Sequence, residues 1–148
     1  MKVITSHMGN DFDSLASMVA AQKLYPDAKL CLSGSAGRTV REFLKKNASH
    51  WTVLTPRKIK FDEITMLIVV DSRSRSRIGP FASLLGKKSI AVHVYDHHPP
   101  SNDDIDGEFL AIEPVGACTT LMVEILLEKR IPIAPHEATL FATGIYED

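Results

Sequence analysis

Short apolar runs alternate with helix-like stretches along this chain of 148 residues. Lys2–Thr5, Ala28–Leu32, Trp51–Leu54, Thr65–Val70, Ser89–Tyr95 and Phe109–Ile112 read as strands, each a brief run rich in apolar and β-branched residues. Phe12–Leu24, Thr39–Lys46, Ile78–Leu85, Ala117–Glu128 and Pro135–Tyr146 read as helices. Within Ala117–Glu128, Leu121, Ile125 and Leu126 fall at helical spacing and are therefore core positions. Thr65–Val70 is almost continuously apolar, as a strand covered on both faces should be. Such alternation predicts an α/β domain with a mostly parallel sheet sandwiched by helices. No repeat, low-complexity segment or linker interrupts it.

Candidate chemistry gathers where these strands end. Asp96-His97-His98 follows the apolar run Ile90–Tyr95, and open α/β sheets place ligands at the carboxyl ends of their strands. Imidazoles beside a carboxylate can ligate a metal and contact phosphate, although Pro99 and Pro100 leave a solvated turn as the plain alternative. After the first strand, His7, Asp11 and Asp13 form an H-x-x-x-D-x-D spacing in a strand-to-helix loop. Carboxylates with an imidazole suit hard divalent ions such as manganese or magnesium. Helix capping accounts for one of these aspartates but not for both, nor for His7. Asp71 closes the fourth strand. A lone Asp there is an ordinary turn residue, but three strands would deliver such groups to the same sheet edge.

His7-x-x-x-Asp11-x-Asp13, Asp71, Asp96-His97-His98 and the terminal Thr143–Asp148 resemble the four successive motifs of the DHH phosphoesterase superfamily. Tyr95–Pro100, Glu113–Ala117 and Gly144–Asp148 are most similar to the subgroup fused ahead of CBS and tRNA nucleotidyltransferase/poly(A) polymerase domains. The resemblance implies a Rossmann-like, three-layer amino-terminal domain over residues 1–148, working with downstream domains of the same polypeptide. It implies two divalent metal ions, manganese first and magnesium or cobalt as alternatives. His7, Asp11 and Asp71 would hold one, and Asp13, Asp71, His97 and Asp148 the other, with Asp71 bridging. His98 would face substrate phosphate, while Asp96 would orient the adjacent imidazoles. Asp71, Asp96, His97 and His98 are thus the expected catalytic group. Four carboxylates against two divalent cations leave a roughly neutral cluster, and a pair about 3.5–4 Å apart can activate water and stabilise in-line displacement at phosphorus. The resemblance also implies that a carboxyl-terminal substrate-binding domain lies beyond Asp148, so that the present chain alone would hydrolyse poorly.

Other features narrow the picture less. Arg73, Arg75 and Arg77 alternate with serines after Asp71. Arg73, nearest the sheet edge, is a candidate phosphate contact, whereas Arg75 and Arg77 read as a solvated loop. Gly116 and Thr119 open a helix whose N–H groups could receive phosphate, although capping and packing explain them equally well. Gly34–Thr39 superficially resembles a P-loop but lacks its spacing and lysine. Ser101–Gly107 reads as an acidic surface loop.

Composition is that of an ordinary globular domain, 45% hydrophobic and 24% charged. No apolar run approaches the ~20 residues of a membrane span, and the amino terminus does not resemble a signal peptide. Cys31 and Cys118 are expected as buried thiols in a reducing, cytoplasmic compartment. A net charge of −1 gives no global basic footprint for a polynucleotide. Three activities remain open: a phosphoesterase acting on short RNA or nucleotides, a hydrolase of pyrophosphate or polyphosphate, and a non-catalytic module that binds nucleotides or RNA.

Overall fold

A computed structural model describes residues 1–148. Six strands run in parallel: β1 (Lys2–Thr5), β2 (Lys29–Cys31), β3 (Val53–Leu54), β4 (Met66–Val70), β5 (Ala91–Asp96) and β6 (Phe109–Ile112). Their order in the sheet is β3-β2-β1-β4-β5-β6. The order reverses at β1, so the loops after β1 and β4 open side by side at the carboxyl edge, where such sheets form a crevice.

Four helices complete the chain: α1 (Phe12–Leu24), α2 (Arg38–Lys46), α3 (Cys118–Glu128) and α4 (Pro135–Glu147). One core lies between one sheet face and the helices, joining Ile4, Ile68 and Val70 to Leu15, Met18, Met122 and Leu140. The other face is covered differently from expectation. Ile78–Leu85 is not an α-helix; Gly79–Leu84 forms a 3₁₀ helix. Gly79 adopts φ 55°, and a Cβ there would lie 2.3 Å from the Ser33 carbonyl oxygen, so Gly-Pro starts this segment in a backbone that an α-helix cannot continue. The i,i+3 spacing of 3₁₀ geometry then aligns Phe81 and Leu84, both buried, over Val69 and Val94. Further 3₁₀ turns at Pro56–Lys58, Phe61–Glu63 and Arg75–Arg77 were not legible as periodic patterns. Trp51, read as the start of a strand, precedes β3 and packs as a buried aromatic against Phe43.

Gly144 sets the distance between α4 and α1. A Cβ there would come within 2.8 Å of Ala16 Cβ and Thr119 Oγ1, and 3.0 Å of the Phe12 carbonyl oxygen. Its absence lets α4 lie against α1 and carry Asp148 to the sheet edge. Cys31 and Cys118 are free and buried, and burial pushes the Cys31 thiol up to about 12. No helix is long and apolar enough to cross a membrane.

Candidate metal centre

Asp71 stands at the middle of the cluster. It follows β4 with φ 56°, a left-handed conformation that Asp tolerates better than most residues, and its N–H donates to the Tyr95 carbonyl at 2.9 Å. This backbone turn splays the two carboxylate oxygens to opposite imidazoles. Oδ1 lies 3.1 Å from His97 Nε2 and Oδ2 3.4 Å from His7 Nε2. Burial alone would raise the Asp71 carboxyl, but the hydrogen bonds from His7 and His97 outweigh it and hold the group below its ordinary range.

Both imidazoles are locked from behind. His7 Nδ1 lies 2.8 Å from the Met8 carbonyl oxygen, and His97 Nδ1 lies 2.9 Å from that of Val115. A carbonyl can only accept, so each Nδ1 carries a proton; Nε2 faces the carboxylates, donating to them while protonated and becoming the ligating atom once that second proton is released. Asp13 and Asp148 each bring an oxygen within 3.6 Å of His97 Nε2. His97 is accordingly raised to about 9, first by its bond to Asp71. The Asp13 carboxyl is raised to about 7 by burial and then by the Asp71 charge.

Potential ligand atoms fall into three overlapping groups: His7, Asp11 and Asp71; Asp13, His97 and Asp148; and Asp71, Asp96, His97 and His98. Asp11 also caps α1, accepting from Ser14 N at 2.9 Å, so capping and cluster membership coexist in one side chain. The donor set fits two hard divalent cations. Four carboxylates converge on two imidazoles, and the Asp13 and Asp148 carboxyls are raised first by burial and then by the Asp71 charge, both of which a bound cation would offset.

Several neighbours have jobs other than those expected. The amino terminus of α3 does not open to a ligand: Cys118 N and Thr119 N donate to Asp13 at 3.0 and 2.9 Å, and Thr119 Oγ1 donates to it at 2.6 Å. Thr119 is fully buried and supports Asp13, which takes the anion position at this helix end. Gly116 has open space around its Cα but no contact that marks it as a binding residue. Arg73 pairs with Asp104 at 3.0 Å and is thereby turned to the acidic loop. Asp103 accepts from Ser74 Oγ, Ser76 N and Ser76 Oγ, so Ser101–Gly107 clamps the loop that follows Asp71. Arg77, read as merely solvated, is exposed and its charge is felt at His7. Asp96 is fully buried and bonds His98 Nδ1 at 2.7 Å, and no hydrogen bond joins it to His97, so it orients one imidazole rather than both.

Thr119→Val is expected to weaken divalent-metal binding about 10-fold, because Asp13 keeps its two backbone N–H donors but loses the Thr119 hydroxyl that also fixes Oδ1. Calorimetric titration checks this, and unchanged affinity would show that Asp13 needs no such support.

A parallel α/β sheet with a shared carboxylate–imidazole centre at its switch point defines the class of protein. The sequence matches the DHH family, N-terminal domain, over residues 2–145, and the chain belongs to that family. It is 43% identical over 149 residues to an A-adding tRNA nucleotidyltransferase of Geobacter sulfurreducens, covering 100% of this chain and 17% of the relative. Identity to the A-adding tRNA nucleotidyltransferase of Aquifex aeolicus is 36% over 148 residues, covering 99% and 16%. The chain thus spans about one sixth of the length of these curated relatives. Its fold is shared with an exopolyphosphatase-related protein from Bacteroides fragilis (TM-score 0.70, 16% identity, 98% of this chain and 44% of that one). It is also shared with a putative family II inorganic pyrophosphatase from Methanococcus jannaschii (TM-score 0.71, 21% identity, 95% and 46%).

Proposed function

We propose that this chain is the metal-binding module of a phosphoesterase that hydrolyses phosphodiester bonds of short RNA or nucleotides, within a larger polypeptide of the tRNA nucleotidyltransferase type. The observation that carries this reading is the Asp71 carboxylate, with one oxygen toward each of two tautomer-locked imidazoles. His7, Asp11 and Asp71 would hold one divalent cation, and Asp13, Asp71, His97 and Asp148 a second. When bound, such a pair supplies Lewis acidity and lowers the pKa of water. Manganese is the expected ion, with magnesium or cobalt as alternatives.

The chain's own residues do the positioning. Met8 and Val115 carbonyls hold the two ligating imidazoles, and α3 holds Asp13. Asp96 accepts from His98 Nδ1, leaving Nε2 of this partly exposed ring for a substrate phosphate. RNA is favoured over a phosphoanhydride because the relatives that match along the whole chain are named for action on tRNA, whereas the exopolyphosphatase-related and pyrophosphatase likenesses are likenesses of fold.

The test offers the full-length protein, with manganese, a labelled short oligoribonucleotide, pyrophosphate and polyphosphate separately. Cleavage of the oligoribonucleotide alone supports the reading, and cleavage of the phosphoanhydrides alone replaces it. No turnover of any of them, with function unchanged by Asp71→Asn, makes the module non-catalytic. His98→Ala is expected to retain two bound cations while turnover falls on the order of 10²-fold, the scale for removing one donor to a developing charge. Loss of a cation in that variant would mean that His97 and His98 share or exchange roles.

A further inference from the structure

The near-zero net charge of this chain conceals a segregation. Residues 38–60 hold seven Lys and Arg against one acid, Glu42, whereas the remainder holds ten against seventeen. All seven of these basic residues are exposed. On α2, Arg38, Arg41 and Lys45 follow i, i+3, i+7 spacing and so form one stripe, with Lys46 beside it, while Val40, Phe43 and Leu44 turn to the core. Arg57 and Lys58 follow β3 at the carboxyl edge of the sheet, the edge that bears the cluster, and Lys60 comes just after them. Favourable interaction with a helix carboxyl end accounts for Lys45 and Lys46, and an i,i+4 pair with Glu42 at 3.2 Å accounts for Arg38, but neither accounts for Arg41 or for the basic residues after β3.

Two further observations give this flank a direction and a partner. Its near end is joined to the metal loop: Gly37 N, the N-cap of α2, donates to the Asn10 carbonyl at 2.9 Å, and Asn10 bridges to Ala36, one residue before Asp11. At its far end the exposed rings of His50 and His136 stack at 4.2 Å and 19°, and both lie against buried Trp51. Imidazole faces accept nucleobases, and phosphates alone give them nothing to stack on.

We infer that the α2–β3 flank binds the backbone of an RNA strand extending beyond the few nucleotides that the metal cluster itself can hold, with a base on the His50–His136 platform. This rests on the RNA reading above and makes the substrate a longer or structured RNA rather than a dinucleotide.

The experiment measures binding, not turnover, so that it fails separately from the hydrolase reading. Full-length protein in chelator is titrated with a labelled single-stranded oligoribonucleotide of about 12 residues across a salt series, comparing wild type with Arg41→Gln/Lys45→Gln/Lys46→Gln. Each lost phosphate contact on a single strand removes about 0.7 from the slope of log K against log salt, so the triple variant should lose about 2 and bind roughly tenfold more weakly. A photo-crosslinking benzoylphenylalanine at exposed Ala48, in the turn between α2 and β3, should capture the RNA. Unchanged slope and affinity, or no crosslink at Ala48, overturns the inference. Inorganic polyphosphate that displaces the RNA at equal phosphate concentration, with the same slope change, also overturns it and makes the flank a general polyanion surface.

Discussion

Asp71→Asn is expected to abolish two-site manganese binding and to lower hydrolysis by the full-length protein on the order of 10³-fold, equivalent to about 4 kcal/mol of barrier. The carboxylate is the one group in contact with both His7 and His97. An amide in its place keeps a single acceptor oxygen and turns an NH₂ toward one imidazole. That NH₂ would donate to the Nε2 lone pair which a cation needs. The substitution should leave the fold intact, because Asn tolerates the left-handed backbone at this position as Asp does. Far-ultraviolet circular dichroism would show that. Proton titrations by NMR give a second readout in the absence of metal. His97 should fall from about 9 toward its ordinary value, because its largest upward influence is the bond to Asp71. Asp13 should fall only in part, because burial, its largest influence, remains. Retention of one site at wild-type affinity would show that Asp71 serves a single cation.

The pattern of apolar runs carried the strands well because a parallel sheet covered on both faces needs continuous apolar segments, as in Met66–Val70. It failed at Ile78–Leu85, where Gly79 and Pro80 impose backbone conformations that residue periodicity does not express. The cluster residues were legible because motif order and strand topology both direct them to one edge. Their supporting partners were not. Thr119 donates to Asp13 from more than a hundred positions away, and the carbonyls of Met8 and Val115 act through backbone atoms that any residue could supply. The partner of Arg73 was hidden for a similar reason. That acid, Asp104, comes from a loop whose antiparallel bridge to Ser74 leaves no local signature.

Manganese affinity should climb steeply with pH, and the metal-free chain should lose stability over the same range. His97 has a folded value of about 9 against an ordinary 6.5, so its protonated form stabilises the fold fully below 6.5 and that contribution disappears as pH rises through about 9. Asp13 is raised from 3.8 to about 7, so the folded chain keeps a proton that the unfolded chain has released. Stability therefore also declines from about pH 4 to about 7. Both groups must release their protons to ligate a cation. Affinity should gain about one decade per pH unit between about 7 and 9 from His97, and more below about 7, where Asp13 also has to be deprotonated. Bound cation reverses the pH trend in stability, because it favours the deprotonated cluster. Manganese at about 100 times its Kd contributes about 2.7 kcal/mol, a shift of about 5–10 °C in Tm for a chain of this size. At one fixed manganese concentration that shift should be larger at pH 8 than at pH 6, because Kd is lower at pH 8. Calorimetric titration in two buffers of different ionisation enthalpy counts the protons released. Release of at least one proton per cluster at pH 7.5 is the expected result, and no release would mean that His97 is already neutral and does not bond Asp71 through Nε2–H.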